Sequence, residues 1–353
     1  MTRYELAQIV ARLMAKEDQL NAEQQATLDK LAGEYADELA NLGVRVSNLE
    51  KKVGNISWNG DARMRYTASS KKDAKDIYDG RIRLNVKGQV NDATYVQGQF
   101  VTNMWFKDGK EDKDGNTTMS QIYVNHNFGK NVAVRLGRQP IAFGNQGGWM
   151  YNALNGYDGA QIAYTNDKLA LTTGFGQLND GWKDTDVYFA KGAYDFGFAK
   201  LNADYIADKD SEAQYRDEIY GVGLNIPVQK FNVFGEYWKN TTIGDYDTAW
   251  NAGLSYGKAD WKKAGTWDLS IAYNDVDYGV YFGGGTWHND MLKNFNSDYL
   301  DAYNLTFWTA IANVTLQKNV QLHAEYAFAA DAEKSNNGAD PDDSWTVSLN
   351  YKF

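Results

Sequence analysis

The sequence has no cysteine and, across 353 residues, only three prolines and three histidines. Each shortage removes a class of protein. Without cysteine there is no disulfide framework, no thiolate zinc site and no thiol nucleophile, which suits a chain that crosses an oxidising periplasm as well as many soluble ones. Long apolar runs are also missing. Mean hydropathy is −0.60, and no stretch approaches the roughly 18 to 20 apolar residues that a membrane helix needs. Basic charge is not in excess: 36 Lys and Arg stand against 46 Asp and Glu, a net −10, so no basic face offers itself to nucleic acid. His126, His288 and His323 lie in separate segments without metal-ligand spacing, and none has the neighbours of a hydrolase. His126, between Asn125 and Asn127 near a strand end, reads as an interface histidine. No enzyme, cofactor or resident metal is expected. Asp112, Asp114 and Asn116 open like an EF-hand loop, but its sixth position is Thr117 and its twelfth Tyr123; an acidic outer loop holding divalent cations loosely is the reading. Gly283, Gly284 and Gly285 precede no helix, so they make no phosphate cradle. Met1 opens no signal-peptide pattern, and an exported chain needs one, so the sequence reads as a processed or shortened form.

What is present is aromatic and small: 24 Tyr, 15 Phe, 11 Trp and 33 Gly. A strand whose residues alternately face lipid and water hides its hydrophobicity in any average. The first 53 residues are different. They lack proline, are rich in Ala, Glu, Leu and Lys, and carry apolar residues at Leu28, Leu31, Tyr35, Leu39, Leu42, Val46, Leu49 and Val53. Steps of three and four with one stutter describe a short coiled coil; an amphipathic helix packed on its own domain has the same pattern.

From Ile56 the period falls to two and stays there. Ile56, Trp58, Gly60, Ala62, Met64 and Tyr66 share one face, opposite Asn59, Asp61, Arg63 and Arg65; Trp345, Val347, Leu349, Tyr351 and Phe353 repeat the pattern at the end. Sixteen such segments are predicted, at 56–66, 80–90, 93–105, 119–128, 131–138, 158–165, 168–177, 185–194, 197–206, 217–226, 230–239, 247–256, 266–275, 303–316, 319–328 and 344–353. Turns after even strands are short (Asn91-Asp92, Gly129-Lys130, Asn166-Asp167, Asp195-Phe196, Lys318-Asn319), the twelfth excepted at Gly257 to Gly265. Those after odd strands are longer and polar, at 67–79, 106–118, 139–157, 207–216, 276–302 and 329–343. Short turns at one end and long loops at the other are the layout of a closed membrane barrel with both termini on the periplasmic side. A sandwich would not alternate loop lengths in this way, and a propeller would show a blade repeat, which is absent. Pro140, Pro227 and Pro341 fall in connections, where they remove no ladder bond.

A barrel of this strand number is too wide for side chains to fill, so an aqueous channel is expected. The alternate faces carry charges that water would solvate: a basic wall of Arg63, Arg65, Arg81, Arg83, Lys87 and Arg135, and an acidic wall of Asp204, Glu236, Asp268 and Glu325 across the lumen. Opposed walls would orient dipolar solutes and bias ion passage; merely solvated faces would look the same. The connection 139–157 is uncharged and Gly-rich, with Phe143, Gly147, Gly148, Trp149 and Tyr151. It reads as a loop folded inward to constrict the lumen, or one packed over the rim or at a subunit contact.

With these features together, Thr2, Arg3, Tyr4 and Glu5, followed by Ala7 to Val10, resemble the last helix of an S-layer homology domain. The whole chain resembles the OmpM-type porins of diderm Firmicutes, which join such a domain and a coiled-coil stalk to a 16-stranded trimeric barrel. The segment Leu136 to Gln139 and the terminal Phe353, read as the assembly signal, fit the wider porin pattern. The resemblance implies a remnant of the S-layer homology domain at 1–16, a periplasmic stalk at 17–55 and an outer-membrane barrel at 56–353. It further implies a homotrimer in outer-membrane lipid, inserted by the barrel assembly machinery. Function would then be passive diffusion of ions and small hydrophilic solutes, with the full-length protein tethered to peptidoglycan through the mostly absent domain; a mainly structural tether is the alternative. One departure stands out: general porins carry acidic residues on the inward loop, and 139–157 has none.

Overall fold

The computed structural model describes residues 2–14, 22–40, 55–106, 116–145, 148–179, 185–209, 217–281, 291, 303–333 and 340–353. They form two compact units, Met1–Ile56 and Ser57–Phe353.

In the first unit, α1 (Arg3–Met14) and α2 (Ala22–Glu34) are helices. Helical hydrogen bonds continue past α2, from Tyr35 N to Leu31 O at 3.0 Å and from Leu39 N to Tyr35 O at 2.9 Å. Thr2 and Glu5 start α1 as a capping box: Glu5 N donates to Thr2 Oγ1 at 3.3 Å and Thr2 N to Glu5 Oε2 at 2.7 Å, satisfying two N–H groups that the helix start leaves open. Ala7 and Val10 pack with Leu28 and Tyr35, flanked by Leu6, Leu31, Ala32 and Leu39. The start of the expected coiled-coil seam is therefore buried against α1 of the same chain, as in the alternative of an amphipathic helix packed on its own domain. Leu42, Val46, Leu49 and Val53, the rest of the seam, lie outside the described residues.

The second unit is a closed antiparallel barrel of sixteen strands, each bonded to its sequence neighbours, with the first closing on the last. The strands are β1 (Ile56–Ser69), β2 (Ile77–Asn91), β3 (Thr94–Phe106), β4 (Thr117–Phe128), β5 (Val132–Phe143), β6 (Tyr151–Thr165), β7 (Leu169–Leu178) and β8 (Asp186–Asp195). They continue as β9 (Lys200–Asp208), β10 (Glu218–Val228), β11 (Phe231–Asn240), β12 (Thr248–Gly257), β13 (Trp267–Asp277), β14 (Asn304–Gln317), β15 (Val320–Glu333) and β16 (Ser344–Lys352). Closure pairs Asp61 through Ser69 with Lys352 back to Ser344. Phe353 extends it, its N donating to Gly60 O at 3.0 Å and its O accepting from Gly60 N at 2.8 Å. Full closure leaves no unpaired strand edge.

The short turns hold by local chemistry. Asn91 Oδ1 accepts from Ala93 N (3.0 Å), Asn166 Oδ1 from Lys168 N (2.9 Å) and Asp195 Oδ1 from Gly197 N (2.7 Å), the side chain standing in for a backbone acceptor.

Alternation sorts the residues as the period of two requires. On β10, Tyr220, Val222 and Leu224 point outward and are exposed, whereas Ile219 is fully buried inside. Outward aromatics meet across strands near the long-loop end, with ring centroids 6.1 Å apart for Tyr188–Tyr205, 5.5 Å for Trp250–Tyr273, 5.2 Å for Tyr273–Trp308 and 5.0 Å for Tyr66–Tyr78. A second row near the short turns includes Phe231–Tyr256 and Tyr256–Trp267. Between the rows the outer surface is aliphatic, as at Val233, Leu254, Ile271 and Leu269. Among the described residues, no helix is long and apolar enough to cross a membrane.

Candidate functional site

The site is the barrel interior, and its geometry begins with the hairpin between β5 and β6. The expected loop 139–157 is mostly strand: β5 runs to Phe143 and β6 starts at Tyr151, with Phe143 registered against Tyr151. The true loop is 144–150. Gly144 and Gly148 take φ of 93° and 99° there, backbone geometry that a Cβ disfavours. Pro140 and the run of glycines made the extension look irregular, yet the ladder resumes beyond a register shift between Gln139 and Ile141.

This hairpin turns into the lumen. Trp149 Nε1 donates to Asn274 Oδ1 on β13 at 2.9 Å, and β13 is seven strands from β6 in a ring of sixteen, so the contact is possible only across the interior. Gly144 N donates to Asp204 Oδ2 on β9 at 2.7 Å, and Asn145 N to Glu236 Oε2 on β11 at 3.0 Å. Asn145 Nδ2 donates to Gly235 O at 3.1 Å, and Asn225 Nδ2 to Asn145 Oδ1 at 2.9 Å. Lys191 Nζ on β8 donates to Ala142 O. Beneath these bonds lies a buried apolar cluster. Phe143, Trp149, Met150, Tyr151 and Tyr157 from the hairpin pack with Phe189, Ile206, Ile219, Trp238, Leu305 and Phe307 from the wall. Phe143 and Tyr157 each meet Phe189 edge-on, at 5.7 and 5.4 Å, a favoured aromatic geometry. Gly147 lies outside the described residues.

The acidic residues therefore do different work from the one expected. Asp204 and Glu236 are buried acceptors for the hairpin's own N–H groups, and Glu236 also accepts from Trp238 Nε1 at 2.8 Å. Asp268 accepts from Ala259 N at 2.8 Å and Asn313 Nδ2 at 2.7 Å. Glu325 is buried beside His323, whose Nε2 is 2.7 Å from Glu325 Oε1 and whose Nδ1 is 2.7 Å from Asn313 Oδ1. The reading of these as open lumen carboxylates is corrected for Asp204, Glu236 and Glu325, which are buried; Asp268 stays partly exposed. Buried acceptors are retained by donors that no sequence period reveals.

The basic residues do come together. Arg63 and Arg65 on β1 flank Asp79 of β2 at 3.3 and 2.7 Å, and Arg81 and Arg83 on β2 flank Asp61 of β1 at 3.4 and 2.8 Å. Lys87 lies 4.3 Å above the Tyr95 ring, and the Arg135 guanidinium 4.7 Å from that of Tyr123, within cation–π range. Asp61 and Asp79 were missing from the sequence-derived wall. Both share the parity of the arginines, and that was the available signal. Gln99, Gln121, Asn125, Thr346 and Ser348 complete a polar inner surface over β16 and β1–β4.

Elsewhere, His126 Nδ1 is 2.8 Å from Thr94 Oγ1 with its ring against Phe128. In the helical unit Arg3 Nε bonds Glu38 Oε1 at 2.6 Å and its guanidinium lies 5.1 Å from the Tyr35 ring. Arg3 thus ties α1 to the helical segment that follows α2, while Thr2 and Glu5 cap α1. Among the described residues no cluster of His, Cys, Asp or Glu could hold a metal. His288, Asp112 and Asp114 lie outside them.

No family model matches the sequence, and no curated protein matches it. Solved structures do. A multiple mutant of the Rh. blastica porin superposes with a TM-score of 0.58 at 13% identity, covering 84% of this chain and 100% of that one. A triple mutant of the Rhodopseudomonas blastica porin gives 0.57 at 13%, with the same coverage. A structure titled "Asymmetric conductivity of engineered proteins" gives 0.56 at 12%, covering 84% and 100%. At these identities the likeness is one of fold: this chain has the closed sixteen-strand barrel of those porins.

Proposed function

We propose that the chain is a general diffusion porin of the outer membrane, passing ions and small hydrophilic solutes without energy input. The observation that carries this is the division of the interior. The hairpin and its apolar cluster cover the wall from β7 to β15, while the wall from β16 through β1 to β5 keeps a polar, arginine-rich surface. A passage along that second wall would be narrowed by the hairpin and solvated by its own side chains. The outer surface supports the location, since an aliphatic band between two aromatic rows matches a bilayer and its two interfaces. Planar-bilayer recording of the purified protein tests the reading. Stable, stepwise conductance is expected; a barrel that inserts and stays silent would refute it.

The homotrimer is part of the same proposal. At the height where Tyr188, Tyr205, Tyr220, Tyr237, Trp250, Tyr273 and Trp308 face outward, β5 and β6 instead present Arg138 and Asp158, paired at 2.6 Å and each about 40% exposed. A charged pair at that level is costly against lipid and cheaper against another copy. Native mass measurement in mild detergent is expected to give three chains. Attachment to peptidoglycan rests on the resemblance of Thr2 to Glu5 to an S-layer homology helix; loss of wall binding by full-length protein carrying R3A would support it.

A further inference from the structure

We propose that the channel prefers small anions over cations, and that Arg63, Arg81, Arg135 and Lys87 set this preference; the inference rests on the porin reading above. Three observations converge on it.

The first is the inventory of the wall that the hairpin leaves uncovered. The charged inward groups on β1, β2 and β5 are Arg63, Arg65, Arg81, Arg83, Lys87 and Arg135, against only Asp61 and Asp79. Each carboxylate is shared by two arginines, so the wall keeps four positive charges in excess.

The second is the missing counter-wall. The hairpin loop 144–150 contains no ionisable side chain. The carboxylates behind it, Asp204 and Glu236, face the hairpin backbone and are buried by it. The charge of Asp204 and Glu236 is thus held away from the open space by the element that narrows it, and Glu325 is buried beside His323, while Asp268 stays partly exposed toward the short turns.

The third is unmet hydrogen-bond capacity. Arg63 Nε, Arg81 Nε and Arg135 Nε are buried with no acceptor. Arg63 itself is only 5% exposed. A buried N–H without a protein acceptor is costly, and water or a small anion that reaches it would supply one. The chain's overall −10 charge does not oppose this, because charges farther away than the Debye length, about 8 Å at physiological salt, are screened from the narrow zone.

The test is the reversal potential across a bilayer held in a KCl gradient, using the whole protein. Wild type is expected to reverse on the chloride side, and the fourfold variant R63Q/K87Q/R81Q/R135Q to fall to about equal permeability for the two ions. That variant leaves Asp79 with Arg65 and Asp61 with Arg83, so no carboxylate is orphaned; K87Q/R135Q, which touches no ion pair, is the milder version and should move the potential part of the way. K230Q, at the exposed turn between β10 and β11, should leave it unchanged. Stable conductance that is neutral or cation-preferring in wild type overturns the anion preference while keeping the porin. An anion preference that survives the fourfold change overturns the assignment to these residues. Absence of any conductance overturns the porin reading itself, and this inference with it.

Discussion

The two inner walls of the barrel are built by one strand alternation and end in opposite states. From β7 to β15 the inward residues include Leu178, Phe189, Ile206, Ile219, Trp238 and Phe307, all buried under the hairpin. From β16 through β1 to β4 they are Ser348, Thr346, Arg63, Asp79, Gln99, Gln121 and Asn125. One wall behaves as the core of a soluble protein that happens to lie inside a barrel. The other keeps charges that only nearby water or closely paired partners make affordable. The difference teaches that a wide barrel need not be lined uniformly: an inserted hairpin can bury one half under apolar packing and leave the other polar.

Breaking the dry wall should have the largest effect. Trp238→Ala removes a fully buried indole and should cost roughly 3–5 kcal/mol, seen as a lower temperature for loss of the compact, heat-modifiable band in detergent gels. On the polar wall, Asp79→Ala strands Arg63 and Arg65 without their shared carboxylate. Breaking a buried pair of this kind costs about 3–5 kcal/mol at most, and the same gel assay should show a smaller drop than for Trp238→Ala if water reaches this wall. An equal or larger drop would argue that the wall is dry. Glu236→Leu removes the acceptor of Asn145 N and Trp238 Nε1, at about 1–3 kcal/mol for each orphaned donor; the hairpin tip should loosen and single-channel conductance rise. Outside the barrel, Thr2→Ala removes half of the capping box and should cost about 1 kcal/mol of helix stability, read by circular dichroism.

The smallest effect concerns pH. Hydrogen bonding from Arg3 holds the Glu38 carboxyl below the usual carboxylate range. A carboxyl with a lowered folded value contributes its stability above its ordinary titration range and loses it as the pH falls through the lowered one. A carbon-resolved NMR titration should therefore show Glu38 protonating at lower pH in the wild type than in R3A.

Much of the barrel was legible in the sequence. Strands such as Trp250-Ala252-Leu254-Tyr256 and Trp267-Leu269-Ile271-Tyr273 advertise themselves through alternate apolar residues, and sixteen such segments coincide with the sixteen strands. The poorest match was around residue 140, where Pro140 and four glycines disguised a continuing ladder. Asp79 was legible in principle, since it sits two residues before Arg81 on one face. The roles of Asp204 and Glu236 were not, because their donors, Gly144 N and Asn145 N, are 60 and 91 residues away in the chain. Likewise Leu28 and Tyr35 show a heptad step without saying whether the facing helix belongs to the same chain.

The amino-acid sequence by itself determined strand number, register parity and which side chains face inward, because a pleated strand alternates with every residue and nothing distant can alter that period. Only the tertiary structure decided which wall the hairpin covers and which carboxylates it consumes. Those outcomes depend on donors and acceptors meeting across the lumen, where proximity follows from barrel closure and not from position along the chain.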